Sequence, residues 1–219
     1  MTHHGTEYAG LLVNQRTALM SALLLVSLVA AQPATAGTAE AANGVFGRFT
    51  RHIQTQIASD KIAFAKASGC TNWFYHREKR KPAPAEVQPI RLDLVIESPT
   101  PEDCLRWYPG GLESVRQDFN RTQTSLSVSL TFYEFALVVD RDDDGRYSGE
   151  ELVDLFQSLA LSYDPSDSPT VHAAALTERF DTWYRARNLE SVMNGMGQLY
   201  DKGYRVTSAD RVELDRVIQ

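Results

Sequence analysis

Apolar residues recur every three or four positions over most of the chain, the spacing of one face of an α-helix. Phe46, Phe49, Ile53, Ile57 and Phe64 predict a helix from about Gly44 to Ser68, with Gly47 as a local weakness. The pattern then breaks in "GCTNWFYHREKRKPAPAEVQP", whose proline-rich end is expected to be extended. Leu92, Leu94 and Ile96 alternate in "IRLDLVIE" and predict a short strand with no clear partner strand. "SPTPEDCLRWY" carries a helix start: Thr100 as cap, Pro101 in the first turn, then Glu102 and Asp103 at the positive end of the dipole. A further start near Gly111 leads through Leu112, Val115 and Phe119 to Leu126, Leu130, Tyr133 and Leu137. "SLSVSL" inside that stretch suits a strand as well as a helix, so one long helix and two shorter ones both fit.

Later helices are predicted by Leu152, Leu155, Phe156 and Leu159, by Leu176, Phe180 and Trp183, and by Leu189, Val192, Met196 and Leu199. Gly195 and Gly197 weaken the middle of the last of these. The break "DPSDSP" offers Asp164 and Asp167 as caps. The fold class expected is mainly α.

The front of the chain has a different pattern. Arg16 precedes the apolar run "TALMSALLLVSLVAA", and "ATAG" places small residues around a cut between Ala36 and Gly37. This is the layout of a secretory signal peptide over residues 1–36, with His3 and His4 in the removable part. Left uncleaved, residues 17–31 would instead anchor the chain to a membrane. Export implies a periplasmic or secreted protein in an oxidising space. The two cysteines, Cys70 and Cys104, then pair most simply as one disulfide.

Composition adds little more. A net charge of −6 over 219 residues speaks against nucleic acid as a partner but is otherwise ordinary. The basic run His76–Lys81 reads as a solvated loop. No enzyme constellation emerges, since His52, His76 and His172 stand apart and neither HExxH nor GxSxG occurs.

One stretch carries distinct chemistry. "DRDDDGRYSGEE" alternates Asp140, Asp142 and Asp144, turns at Gly145 and closes with Glu151 at the twelfth place. Ca²⁺ takes six to eight oxygens at about 2.3–2.6 Å, and a glycine at the sixth place permits the sharp turn. The loop resembles that of the EF-hand family at every ligand-bearing place, and helical patterns flank it. The resemblance implies a helix–loop–helix lobe binding Ca²⁺ through Asp140, Asp142, Asp144, the Arg146 carbonyl, Ser148 and Glu151. It implies no catalytic residue. Tyr147 departs from the family's aliphatic preference at a position that is not a ligand.

The tail, residues 189–217, looks like a second such unit that has lost its ligands. Asp201 and Gly203 make a turn, and Thr207 can cap a helix from Ser208, but Lys202 and Arg205 stand where acids are needed. Paired loops would set Tyr147 beside Val206 in a two-stranded main-chain contact. The organisation expected is a signal segment (1–36), a helical and loop region with the disulfide (37–110) and an EF-hand-like helical domain (111–219). The function expected is an exported, non-enzymatic Ca²⁺-binding protein in a structural or ligand-presenting role. The rivals are a helical interaction protein whose surface Ca²⁺ merely stiffens, with an unidentified protein partner, and an enzyme whose site the pattern does not reveal.

Overall fold

A computed structural model describes residues 44–78 and 98–218. The expected signal segment, the start of the mature chain, the basic run beyond Glu78 and the expected strand lie outside those residues. The described residues form seven helices and no strand: α1 (Val45–Arg77), α2 (Pro101–Trp107), α3 (Gly111–Val139), α4 (Gly149–Ser158), α5 (Pro169–Ala186), α6 (Leu189–Asp201) and α7 (Ser208–Ile218). None of them is long and apolar enough to cross a membrane.

The two long helices, α1 and α3, lie against each other and supply most of the core. On α1 the buried face runs Phe49, Ile53, Ile57, Phe64 and Ala67, the predicted stripe. On α3 it includes Phe119, Leu126, Phe132, Phe135 and Val139. Leu155 and Phe156 of α4, Leu176 and Phe180 of α5, and Met196 and Leu199 of α6 complete the same cluster. Each large apolar side chain fully buried here stabilises the fold by about 1.5–3 kcal/mol. Helices on both sides of the expected boundary at residues 110 and 111 therefore share one core.

The first helix outruns its prediction, continuing nine residues past Ser68 to Arg77. The apolar stripe does not stop at Gly69, because Cys70, Phe74 and Tyr75 carry it on into a second, smaller core. Gly69 is a contact point rather than a stop. A Cβ there would lie 2.6 Å from Pro99 Cδ, so only glycine lets the chain entering α2 come that close.

The small core holds Cys70 and Cys104, joined as a disulfide with Cα atoms 5.3 Å apart. Its other members are Phe74, Tyr75, Tyr108, Leu112 and Val115. Thr100 caps α2 as expected, in a reciprocal box with Asp103.

The Ser/Thr-rich middle of α3 is one continuous helix. Its hydroxyls donate to carbonyls of the preceding turn: Thr122 to Asp118 (2.9 Å), Ser127 to Gln123 (3.0 Å) and Thr131 to Ser127 (2.8 Å). Groups that would otherwise compete for the backbone are thus satisfied within the helix. The Ser129 hydroxyl also lies 3.0 Å from the Ser125 carbonyl, but it points inward and reaches the buried Asp60 of α1 at 2.6 Å. Asp60 also accepts from Tyr184 of α5 at 2.6 Å, so a carboxylate set in the apolar stripe of α1 ties three helices together.

The expected caps at Asp164 and Asp167 are corrected. Ser168 caps α5 through the Val171 amide at 3.3 Å, and Asp164 closes a tight turn by accepting from the Ser166 amide at 2.8 Å. Asp164, five residues before the helix, lies too far from its free amides, whereas Ser168 adjoins them.

Candidate metal centre

Helix α3 ends at Val139 and α4 begins at Gly149, so the acidic stretch forms the loop between them. Its own carboxylates fold it. Asp140, only 6% exposed, accepts from the Gly145 amide at 2.8 Å and the Asp144 amide at 3.2 Å. Asp142 accepts from the Asp144 amide at 3.4 Å, and Asp144 from the Arg146 amide at 2.8 Å. The chain curls because these short side chains reach amides two to five residues ahead. Gly145 sits at φ +72°, where a side chain would be strained, and Asp143 holds φ +57°, which aspartate tolerates better than most residues.

This curl brings Asp140, Asp142 and Asp144 together. One carboxylate oxygen from each lies within 4.8 Å of the others. Oxygens bound to a single Ca²⁺ at about 2.3–2.6 Å stand at most about 5 Å apart, so the three fit around one hard cation. Asp140 is raised to about 7: burial does most to push it up and the charges of Asp144 and Glu151 add to that, against the pull of the Gly145 and Asp144 amides.

The other expected ligands are placed differently. Ser148 caps α4, accepting from the Glu151 amide at 3.3 Å. Glu151, 3% exposed, accepts from the Ser148 amide at 2.7 Å and, through its second oxygen, from the Arg141 amide at 2.8 Å. Its carboxylate closes the ring of the loop from inside but does not join the three aspartates. Arg146 is exposed and gives its amide to Asp144.

Tyr147 pins the loop to the body of the protein. Its hydroxyl donates to the Ala136 carbonyl of α3 at 2.9 Å, and its ring meets Phe46 of α1 edge-on at 5.1 Å. Burial, with Asp140 and Glu151 nearby, raises the phenol well above its ordinary value. No protein-family model matches the chain, and neither do any curated proteins or solved structures. Fold and site geometry therefore carry the functional reading.

The tail turn does lie against the acidic loop, but not in the expected way. No main-chain hydrogen bond joins Tyr147 to Val206 among the described residues, although both pack on the main core. Only Lys202–Thr207 separate α6 from α7, and this turn winds through Gly203 at φ +93° straight into the Thr207 cap. Tyr147 is held instead by the Ala136 carbonyl and the Phe46 ring, and Val206 packs on the core through its side chain.

Side chains make the contact instead, and the sequence reading missed them. Lys202 donates to Asp154 of α4 at 2.5 Å and to Gln157 at 2.8 Å. Tyr204 donates to the other oxygen of Asp154 at 2.8 Å. Burial alone would raise the Asp154 carboxyl, but these two hydrogen bonds hold it below its ordinary value. The Arg141 guanidinium lies over the Tyr204 ring at 4.9 Å, and Thr207 Oγ1 stands 3.4 Å from Asp143. In the sequence Lys202 registered only as a missing acid, with nothing to connect it to Asp154.

Proposed function

We propose that this is a calcium-binding protein whose single competent site is the loop Asp140–Glu151, an EF-hand-like helix–loop–helix. The observation that carries the reading is the convergence of the Asp140, Asp142 and Asp144 oxygens to within 4.8 Å in a turn bounded by two helices. Each aspartate would give one oxygen, Arg146 its carbonyl, Ser148 its hydroxyl or a water, and Glu151 both carboxylate oxygens.

The donor set is all oxygen and flexible, which suits Ca²⁺ better than the tight octahedron of Mg²⁺. The disulfide suits an exported protein, since such bonds persist in oxidising compartments. Extracellular Ca²⁺ is plentiful, and modules working there bind at about 10⁻⁴–10⁻³ M, so the proposed role is structural or ligand-presenting. Calorimetric titration of the full chain with Ca²⁺ tests this. One bound ion per chain is expected, lost in the double variant Asp140→Ala with Glu151→Gln. Absence of binding at millimolar Ca²⁺ by the folded wild type would refute it.

A further inference from the structure

We propose that the turn between α6 and α7 is the second wall of the cation loop, with Lys202, Tyr204 and Thr207 as positioning residues. Docking of the C-terminal helix and occupation of the loop are then linked. This rests on the reading of the loop as a Ca²⁺ site.

Three separate contacts bring the turn onto the loop and the helix that leaves it. Lys202 and Tyr204 grip the two oxygens of Asp154, which stands three residues after Glu151 on α4. Arg141, the second residue of the loop, stacks on Tyr204, itself only 1% exposed. Thr207, the cap of α7, meets Asp143 between two of the converging aspartates. One six-residue turn, Lys202–Thr207, thus touches the incoming half of the loop, its tip and the first turns of α4.

Arg141 makes the linkage specific. Its amide donates to Glu151 while its guanidinium covers Tyr204 and pairs with Glu150 at 3.5 Å. Ligation of a cation by both Glu151 oxygens would draw on the same carboxylate that holds the Arg141 and Ser148 amides, so those bonds would readjust. Whatever shift of Arg141 follows is delivered to the ring that begins the approach to α7.

Helix α7 is well placed to respond. Asp210 is its only buried residue, and Val212 is 69% exposed. Leu214 and Val217 pack partly against the core, Tyr133 donates to Glu213 at 2.7 Å, and Lys61 donates to the Val217 carbonyl at 3.1 Å. Elements with so little buried surface open at low free-energy cost, so a small change at their anchor alters their protection. Linkage is reciprocal: if Ca²⁺ steadies α7 by some factor, a docked α7 tightens Ca²⁺ binding by the same factor.

The experiment measures both directions on the full chain. Hydrogen exchange of the peptide spanning α7 is followed in Ca²⁺ and in chelator. Ca²⁺ affinity is measured for the wild type, for Tyr204→Phe, and for Leu214→Ala with Val217→Ala, which loosens α7 without touching the loop. Circular dichroism in chelator establishes that each variant is folded. Slower exchange of α7 in Ca²⁺ is expected, with affinity about fivefold weaker or more in both variants. Thr207→Ser should keep wild-type affinity where Thr207→Val does not. Wild-type chain that binds Ca²⁺ with α7 exchange unchanged, and variants of undiminished affinity, would overturn the linkage while leaving the site intact. No binding by the wild type would overturn the reading of the loop, and this inference with it.

Discussion

Glu151 shows how one side chain can serve a local and a longer-range purpose. Its carboxylate holds two amides, those of Ser148 and Arg141, from opposite ends of the loop. Its length also lets it offer two oxygens at once, which seven-fold coordination of Ca²⁺ requires and an Mg²⁺ octahedron does not. Glu151→Asp is therefore expected to narrow the preference for Ca²⁺ over Mg²⁺, checked by parallel titrations. An unchanged ratio of affinities would count against bidentate ligation. Glu213 supports a separate prediction. Hydrogen bonds from Arg216 lower its carboxyl, burial raises it, and the Tyr133 bond lowers it further, leaving it below its ordinary value. A carboxyl depressed in this way contributes stability above its unfolded value of about 4.3, lost as pH falls through the folded one. Glu213→Gln should lower the thermal midpoint at neutral pH, with the gap from wild type closing toward about pH 3. A gap that stays constant across that range would show that the charge of Glu213 is not what matters.

Two glycines of α6 look alike in sequence and differ in the folded protein. At Gly195 a Cβ would stand 2.8 Å from the Ser158 carbonyl and 3.3 Å from Phe135, so α6 approaches the end of α4 as only glycine allows. At Gly197 a Cβ would meet nothing within 4 Å. Gly195→Ala should therefore destabilise by about 1–3 kcal/mol through overpacking. Gly197→Ala should stabilise by about 0.4–1 kcal/mol, because alanine favours the helix and loses less backbone freedom on folding. Urea unfolding of both variants checks the opposite signs. The C-terminus of α1 follows the same logic, since Gly69 predicted a break but marks a close approach by Pro99.

Across the whole molecule, two cores divide the work. The larger one joins α1 to α3 and to the helices around the acidic loop, and the smaller one gathers about the disulfide. Cross-linking residues 34 apart removes about 3–4 kcal/mol worth of freedom from the unfolded chain in the loop-closure model. Cys70→Ser with Cys104→Ser should lower unfolding stability by about that amount, read by urea denaturation. Ca²⁺ affinity should be largely retained, because neither cysteine belongs to the core on which the loop rests. A large loss of affinity in a variant that still folds would mean that the two cores are more tightly coupled than their packing implies.

Much of this was legible in the chain. The Thr100 cap, the apolar stripes of α1, α3, α5 and α6 and the turn at Gly145 follow from spacing, because helices, caps and tight turns are built from neighbours, and the pairing of the cysteines follows from there being only two of them behind an expected export signal. The Asp140, Asp142 and Asp144 cluster was legible for the same reason, all its members lying within one turn. The sequence left open whether "SLSVSL" was helix or strand, and hydroxyl bonds to the preceding turn together with the fit of α3 against α1 decided it. It implied a main-chain pair between Tyr147 and Val206, where the tertiary structure set Arg141 on Tyr204 and Lys202 on Asp154. Asp60 stood in plain view on an apolar face, but its partners Ser129 and Tyr184 lie 69 and 124 residues away. Contacts of that kind leave no periodic trace, since they depend on which helix faces meet, and that is fixed only when the whole core packs.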